Sequence, residues 1–185
     1  MMSAPVPAQD GGKLPPRAAV LWLTGLPGAG KSTIAQAVCR RLRAAGQAAV
    51  VVDGDDLRRG LSSDLGFSDR DRAENVRRAA EVARLMADAG ITVVVALISP
   101  FRADRDQARA RFEPGRFVEV FVDTPLAVAE ARDPKGLYRL ARSGALAGLT
   151  GIDGPYEPPA DPEFIVHTVD EPAEQAAARL VARLA

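Results

Sequence analysis

Eight consecutive residues constrain this chain more than any other stretch: Gly25-Leu26-Pro27-Gly28-Ala29-Gly30-Lys31-Ser32. They fit G-x-x-x-x-G-K-[ST] at every fixed position. An apolar run from Ala19 to Leu23 leads in, and a helical pattern continues from Thr33 to Arg43. That strand–loop–helix setting is the context the motif requires. Glycines let successive backbone N–H groups curl around an anion, and the helix N-terminus adds the positive end of its dipole. Lys31 can then reach the β- and γ-phosphates of a nucleoside triphosphate, and the Ser32 hydroxyl can meet Mg²⁺.

The chain has 185 residues, enough for one domain with a sizeable core. Lys plus Arg (24) balances Asp plus Glu (24), so no global field favours nucleic acid or an anionic membrane, and anion binding must be local. No apolar run approaches the ~20 residues that span a bilayer. The one cysteine, Cys39, rules out an internal disulfide and suits a reducing, cytoplasmic compartment. It falls in register with Ile34, Ala35, Val38 and Leu42, which predicts core packing. Residues 1–17 are rich in Pro, Ala and Gly, without the basic start and apolar stretch of a signal peptide, and read as a disordered tail.

Apolar runs predict strands over 19–24, 48–52, 91–98, 117–122 and 164–169. Helical patterns fall between them at 33–43, 56–61, 68–89, 103–112, 126–132 and 137–142, with a last one at 173–184. This alternation predicts a single domain over 18–185, a three-layer α/β/α architecture of the P-loop NTPase type with a mostly parallel sheet of about five strands. The glycine- and proline-punctuated stretch from about 132 to 160 is long for a connection and reads as a lid.

In parallel sheets ligands bind beyond the carboxyl ends of the strands. Two further strand ends carry reactive groups, Asp53-Gly54-Asp55 and Ser99. The run 91–98 lacks the terminal acid that often supports Mg²⁺, so Asp53 or Asp55 is the nearest helper for Ser32. Capping of the helix that follows is the alternative role for these acids. Arginines (Arg58, Arg59, Arg72, Arg77, Arg78, Arg102, Arg105) gather in the segments that meet this face, and guanidinium suits tetrahedral oxyanions. Arg58 and Arg72 flank Phe67, which would combine an anion clamp with a stacking face. His167 has no metal-ligand companions and reads as structural.

Several segments together carry a family resemblance. They are Gly25–Ser32, Asp53-Gly54-Asp55, Asp64-Leu65-Gly66-Phe67-Ser68, Glu74-Asn75-Val76-Arg77-Arg78, Ile98-Ser99-Pro100, Glu119 to Pro125, Ala131 to Tyr138 and Thr150-Gly151-Ile152-Asp153. In this order and combination the chain resembles the adenylyl-sulfate kinases. The resemblance implies transfer of the ATP γ-phosphate to the 3′-hydroxyl of adenylyl sulfate, with Mg²⁺ as cofactor. A homodimer, a part in sulfate assimilation and a functional link to ATP sulfurylase are implied as well. Carried over by motif, Gly25, Leu26, Pro27, Gly28, Ala29, Gly30, Lys31, Ser32 and Thr33 would hold ATP, with Arg132 from the lid. Asp55, Arg58, Phe67, Arg72, Asn75, Ile98 and Ser99 would line the acceptor pocket, with Lys135 and Leu149 contributed by the lid. Lys31, Asp53, Asp55 and Ser99 would be the catalytic group, and Ser32 with Asp55 the metal ligands. Ser99 would be a phosphoserine intermediate by family description. Direct in-line transfer needs no covalent serine, and a hydrogen-bonding role is the simpler account.

Departures from the family pattern fall mainly in the lid. Its usual Lys-Gly-Phe-Thr-Gly is Ala147-Gly148-Leu149-Thr150-Gly151 here, which removes an aromatic partner for the adenine. A different acceptor for the same kinase chemistry, or nucleotide binding without turnover, are the rival readings.

Overall fold

The computed structural model describes residues 19–184, so the expected tail lies outside the described residues. Within them the apolar runs become β1 (Val20–Thr24), β2 (Ala49–Asp53), β3 (Thr92–Ala96), β4 (Phe117–Asp123) and β5 (Phe164–His167). They form one sheet in the order β2-β3-β1-β4-β5, and every neighbouring pair is parallel. The helices are α1 (Lys31–Ala44), α2 (Gly54–Arg59), α3 (Asp69–Asp88), α4 (Arg102–Arg109), α5 (Leu126–Arg132), α6 (Leu137–Arg142) and α7 (Ala173–Leu184).

Side-chain alternation along β1 divides the core. Leu21 and Leu23 point to the layer of α1 and α7, whereas Val20 and Trp22 point to that of α3 and α4. Alanines 79, 80, 83 and 87 form the inner stripe of α3 and let it lie close on the sheet. Trp22 is fully buried and stacks on Phe117 with ring centroids 5.6 Å apart, a burial that contributes roughly 1.5–3 kcal/mol. Cys39 packs in the α1/α7 core as its register predicts, and burial pushes its thiol pKa up. Ala129, Tyr138 and Leu149 form a third, separate apolar cluster, joined by Leu26, Leu126 and Leu137. That cluster belongs to the 132–160 segment and its seat against the phosphate loop.

Two boundaries differ from the sequence expectation for reasons that matter to the site. Pairing along β3 stops at Ala96 rather than 98, because the chain there leaves the ladder and carries Ser99 into the left-handed region at φ 40°. Helix α1 starts at Lys31, directly after Gly30 at φ 104°, so the motif lysine and serine sit in its first turn. No helix among the described residues is long and apolar enough to cross a membrane.

Candidate active site

The phosphate loop is shaped by close approaches that only glycine allows. Gly25 has φ 153°, and a Cβ there would stand 2.5 Å from the Val122 carbonyl oxygen; one on Gly28 would stand 2.9 Å from that of Ala129. The N-terminus of α1 has no side-chain cap and no acid in its first turn, so its positive end opens onto the loop. Lys31 Nζ donates to the carbonyls of Gly25 (2.8 Å) and Leu26 (2.7 Å). Burial lowers its pKa to about 7, against the pull of Asp53. A polyanion beside it favours the ammonium form, so the loop suits a triphosphate.

Asp53 ends β2 with both carboxylate oxygens engaged. Oδ2 accepts from the Ser32 hydroxyl at 2.5 Å, and Oδ1 accepts from the Asp55 N–H at 2.9 Å, capping α2. Helix capping and support of Ser32, read as alternatives from sequence, are therefore met by one residue. Asp55 was expected beside Ser32 as a metal ligand, but the structure brings Asp53 there instead. The physical reason is the turn: Asp53 is the last strand residue, while Asp55 lies in the first turn of α2 and pairs with Lys135. Ser32 Oγ and Asp53 Oδ2 are adjacent hard oxygen donors, a set that fits Mg²⁺.

One cavity of about 820 Å³ runs past these residues. Its walls include the loop from Pro27 to Thr33, both aspartates, and the expected group Arg58, Phe67, Arg72, Asn75, Ile98 and Ser99, together with Lys135 and Leu149. Gly25 and Leu26 are not part of its wall; they lie behind the loop, where their carbonyls hold Lys31. Phe67 is 61% exposed, with the Arg58 guanidinium 4.3 Å from its ring centre. Arg72 donates to the carbonyls of Phe67 (3.0 Å) and Gly148 (2.9 Å), tying α3 to the 132–160 segment. Asn75 is 4% exposed, and its side-chain carbonyl has no protein partner although it borders the cavity. Such an orphan calls for a ligand donor. Ser99 is buried, and its hydroxyl accepts from the Trp22 indole N–H at 3.1 Å. Leu149 is also buried, packed in the third apolar cluster at the cavity edge.

Not every arginine serves the face that sequence suggested. Arg77 and Arg78 pair with Glu74, and Arg78 also with Asp64, whereas Arg59 pairs with Asp56. Arg105 turns into the core, 2% exposed, because α4 aims it at Glu119 on β4. Arg132 lies at the far end of the loop, donating to Ala29 O (3.3 Å), Thr168 Oγ1 (3.0 Å) and Thr168 O (2.9 Å). There the cavity is completed by Thr168, Glu171, Pro172 and Ala173, which sequence reasoning passed over. The available signal was the position of that connection at the carboxyl end of the last parallel strand. Tyr138, also unforeseen, donates its phenol to Pro27 O at 2.8 Å and seats α6 on the loop.

The family model for adenylylsulphate kinase matches residues 17–167. An adenylyl-sulfate kinase of Burkholderia ambifaria is 58% identical over 165 residues, covering 89% of this chain and 91% of that protein. The bifunctional enzyme CysN/CysC of Xylella fastidiosa is 56% identical over 165 residues, which are 89% of this chain and 26% of that enzyme. The structure of the Mycobacterium tuberculosis APS kinase CysC in complex with AMPPNP and APS superposes with a TM-score of 0.88 at 47% identity. It covers 92% of this chain and 99% of that one. Similarity of this extent, over the sheet, the phosphate loop and the opposite wall of the cavity, shows that the chain belongs to the adenylylsulphate kinase family.

Proposed function

We infer that this chain is an adenylyl-sulfate kinase, transferring the γ-phosphate of ATP to the 3′-hydroxyl of adenylyl sulfate to give 3′-phosphoadenylyl sulfate and ADP in sulfate assimilation. The observation that carries this reading is the single cavity joining a phosphate loop to the wall of Arg58, Phe67, Arg72, Asn75 and Ser99.

We assign the residues as follows. Gly28 to Thr33 and Lys31 hold the phosphates of ATP, and Arg132 with residues 168–173 holds its nucleoside end. Ser32 and Asp53 would hold Mg²⁺, which would supply charge neutralisation to the transferring phosphate. Asp53 is committed to Ser32 and to the α2 cap, so Asp55, paired with Lys135, is the acid left to orient the acceptor hydroxyl and take its proton. Phe67 offers a stacking face for the acceptor adenine, Arg58 and Arg72 its anion contacts, and Asn75 and Ile98 its polar and apolar walls. Ser99 hydrogen-bonds the acceptor: its oxygen is already taken by an N–H, which leaves its proton to donate and weakens it as a nucleophile. Residues 132–160 act as the lid of a single domain, closing over both ligands to exclude water. Orientation of the two reactants is the larger contribution, worth about 7–11 kcal/mol in well-aligned systems. We also propose a cytoplasmic homodimer working with the ATP sulfurylase that supplies its acceptor. That a matching region forms 26% of the bifunctional enzyme CysN/CysC supports a link to a second activity.

ADP release by the purified protein with Mg²⁺, ATP and adenylyl sulfate tests the activity, with adenosine and adenosine monophosphate as control acceptors. Release with adenylyl sulfate alone is expected; equal release with the controls, or none, would overturn the reading. Light scattering is expected to give twice the 19.5 kDa chain mass.

A further inference from the structure

Ser99 is held in a conformation its own chemistry does not favour. At φ 40° it is, with Asp133 at 22°, one of the non-glycine residues with positive φ among the described residues. Such backbone strain, on the order of 1–3 kcal/mol, persists only where the surroundings over-determine it. Three groups around Ser99 do so. The Trp22 indole donates to its hydroxyl. The Thr24 hydroxyl donates to the preceding carbonyl, of Ile98, at 2.7 Å. The Arg105 guanidinium donates Nη1–H to the Ser99 carbonyl at 2.6 Å.

Arg105 does more than hold Ser99. Its Nε donates to Glu119 Oε1 at 2.7 Å, which anchors the fork to the sheet, and its Nη2 donates to the Glu157 carbonyl at 2.7 Å. Glu157 is where the 132–160 segment returns to the body. Its N–H donates to Pro100 O and its carboxylate accepts from the Arg102 N–H. One planar guanidinium thus ties the strand end carrying Ser99 to the hinge of the lid segment. Lysine could not do this: a single ammonium lacks the fixed fork that meets a carboxylate and two carbonyls at once.

We propose that Arg105 is a positioning residue for the acceptor site: it fixes the Ser99 backbone so that the hydroxyl, seated on the Trp22 N–H, points its proton at the acceptor, and it couples that geometry to lid closure at Glu157. The kinetic part and the coupling to lid closure rest on the function proposed above; the coupling of Arg105 to Ser99 and Trp22 does not.

The chain contains a single tryptophan, Trp22, so its emission reads the bond to Ser99 directly. The experiment compares wild type, Arg105→Lys, Ser99→Ala and the double variant, by emission of the ligand-free protein and by steady-state kinetics. Arg105→Lys is expected to shift Trp22 emission in the wild-type background and to leave it unmoved in the Ser99→Ala background. It is expected to raise the KM for adenylyl sulfate about tenfold, the equivalent of one good hydrogen bond. The KM for ATP is expected to stay unchanged, and Arg105→Lys to add nothing to the effect of Ser99→Ala. An emission shift equal in both backgrounds, no shift at all, or equal rises in both KM values would each overturn the proposal. Should the lysine variant not fold, Arg105→Met with Glu119→Leu removes the buried pair together and is read by the same comparisons. Absence of turnover in wild type would count against the proposed activity, while the emission comparison would still decide the coupling.

Discussion

At the scale of single residues, neighbouring acids divide two roles by local geometry. Asp53 is fixed by Ser32 and by the α2 cap, while Asp55, two residues on, pairs with Lys135 and in the proposed reaction serves the acceptor. Proton transfer to a positioned base contributes about 10²–10⁴-fold, so Asp55→Asn should lower kcat by that order while ATP affinity, measured by titration, stays near wild type. Normal turnover in that variant would move the base to another group. Leu149 poses a different balance. Restoring an aromatic with Leu149→Phe offers a stacking gain of about 0.5–1.5 kcal/mol. Leu149 is 6% exposed, however, among Ala129, Tyr138 and Leu26, and overpacking such a site costs about 1–3 kcal/mol. The expected outcome is a KM for adenylyl sulfate lowered by less than about tenfold, together with a lower melting temperature.

At the scale of elements, α6 is seated on the phosphate loop through one buried phenol. Tyr138 donates to Pro27 O, and burial, reinforced by Asp133 and Glu130, pushes its pKa up to about 12. The folded-state pKa lies above the unfolded value of 10, so this stabilisation is complete below pH 10 and is lost as pH rises toward 12. Tyr138→Phe leaves the carbonyl unpaired and should cost about 1–3 kcal/mol near pH 8. The gap between wild type and variant in urea midpoint should then close as pH approaches 12; a gap that persists would assign the effect to packing. The left-handed Gly28, whose Cβ would meet Ala129 O at 2.9 Å, sets a separate close approach of the loop to α5. Gly28→Ala should accordingly raise the KM for ATP more than that for adenylyl sulfate.

At the scale of the whole molecule, the sheet divides two cores, and the third apolar cluster stands apart from both. A segment with its own small cluster can open without unmaking the sheet. Amide exchange should therefore be fast over 132–160 relative to β1 and β3, and should slow there when a non-hydrolysable ATP analogue and adenylyl sulfate are both bound. Equal protection of segment and sheet without ligands would sink the lid assignment.

Much of this molecule is local in origin and was therefore legible. The glycine spacing from Gly25 to Gly30 dictates the loop, and continuous β-branched runs such as Val50 to Val52 dictate strands covered on both faces. The breakdown of period after Asp133 marks the segment that contributes Tyr138 and Leu149 to the third apolar cluster. Arg58, Phe67 and Arg72 could be grouped because they flank one another in sequence, and the cavity does hold all of them. Only tertiary structure could decide what depends on long-range direction. Which aspartate meets Ser32, 21 residues away, follows from where β2 ends beside β3 and α1. Whether an arginine faces ligand or core depends on what its helix lies against, so Arg105 and Arg72, alike in sequence, part company. The sequence alone determined the fold class and the chemistry present, because those reside in short-range pattern. The three-dimensional packing decided which groups meet, because a side chain's partner is set by elements distant along the chain.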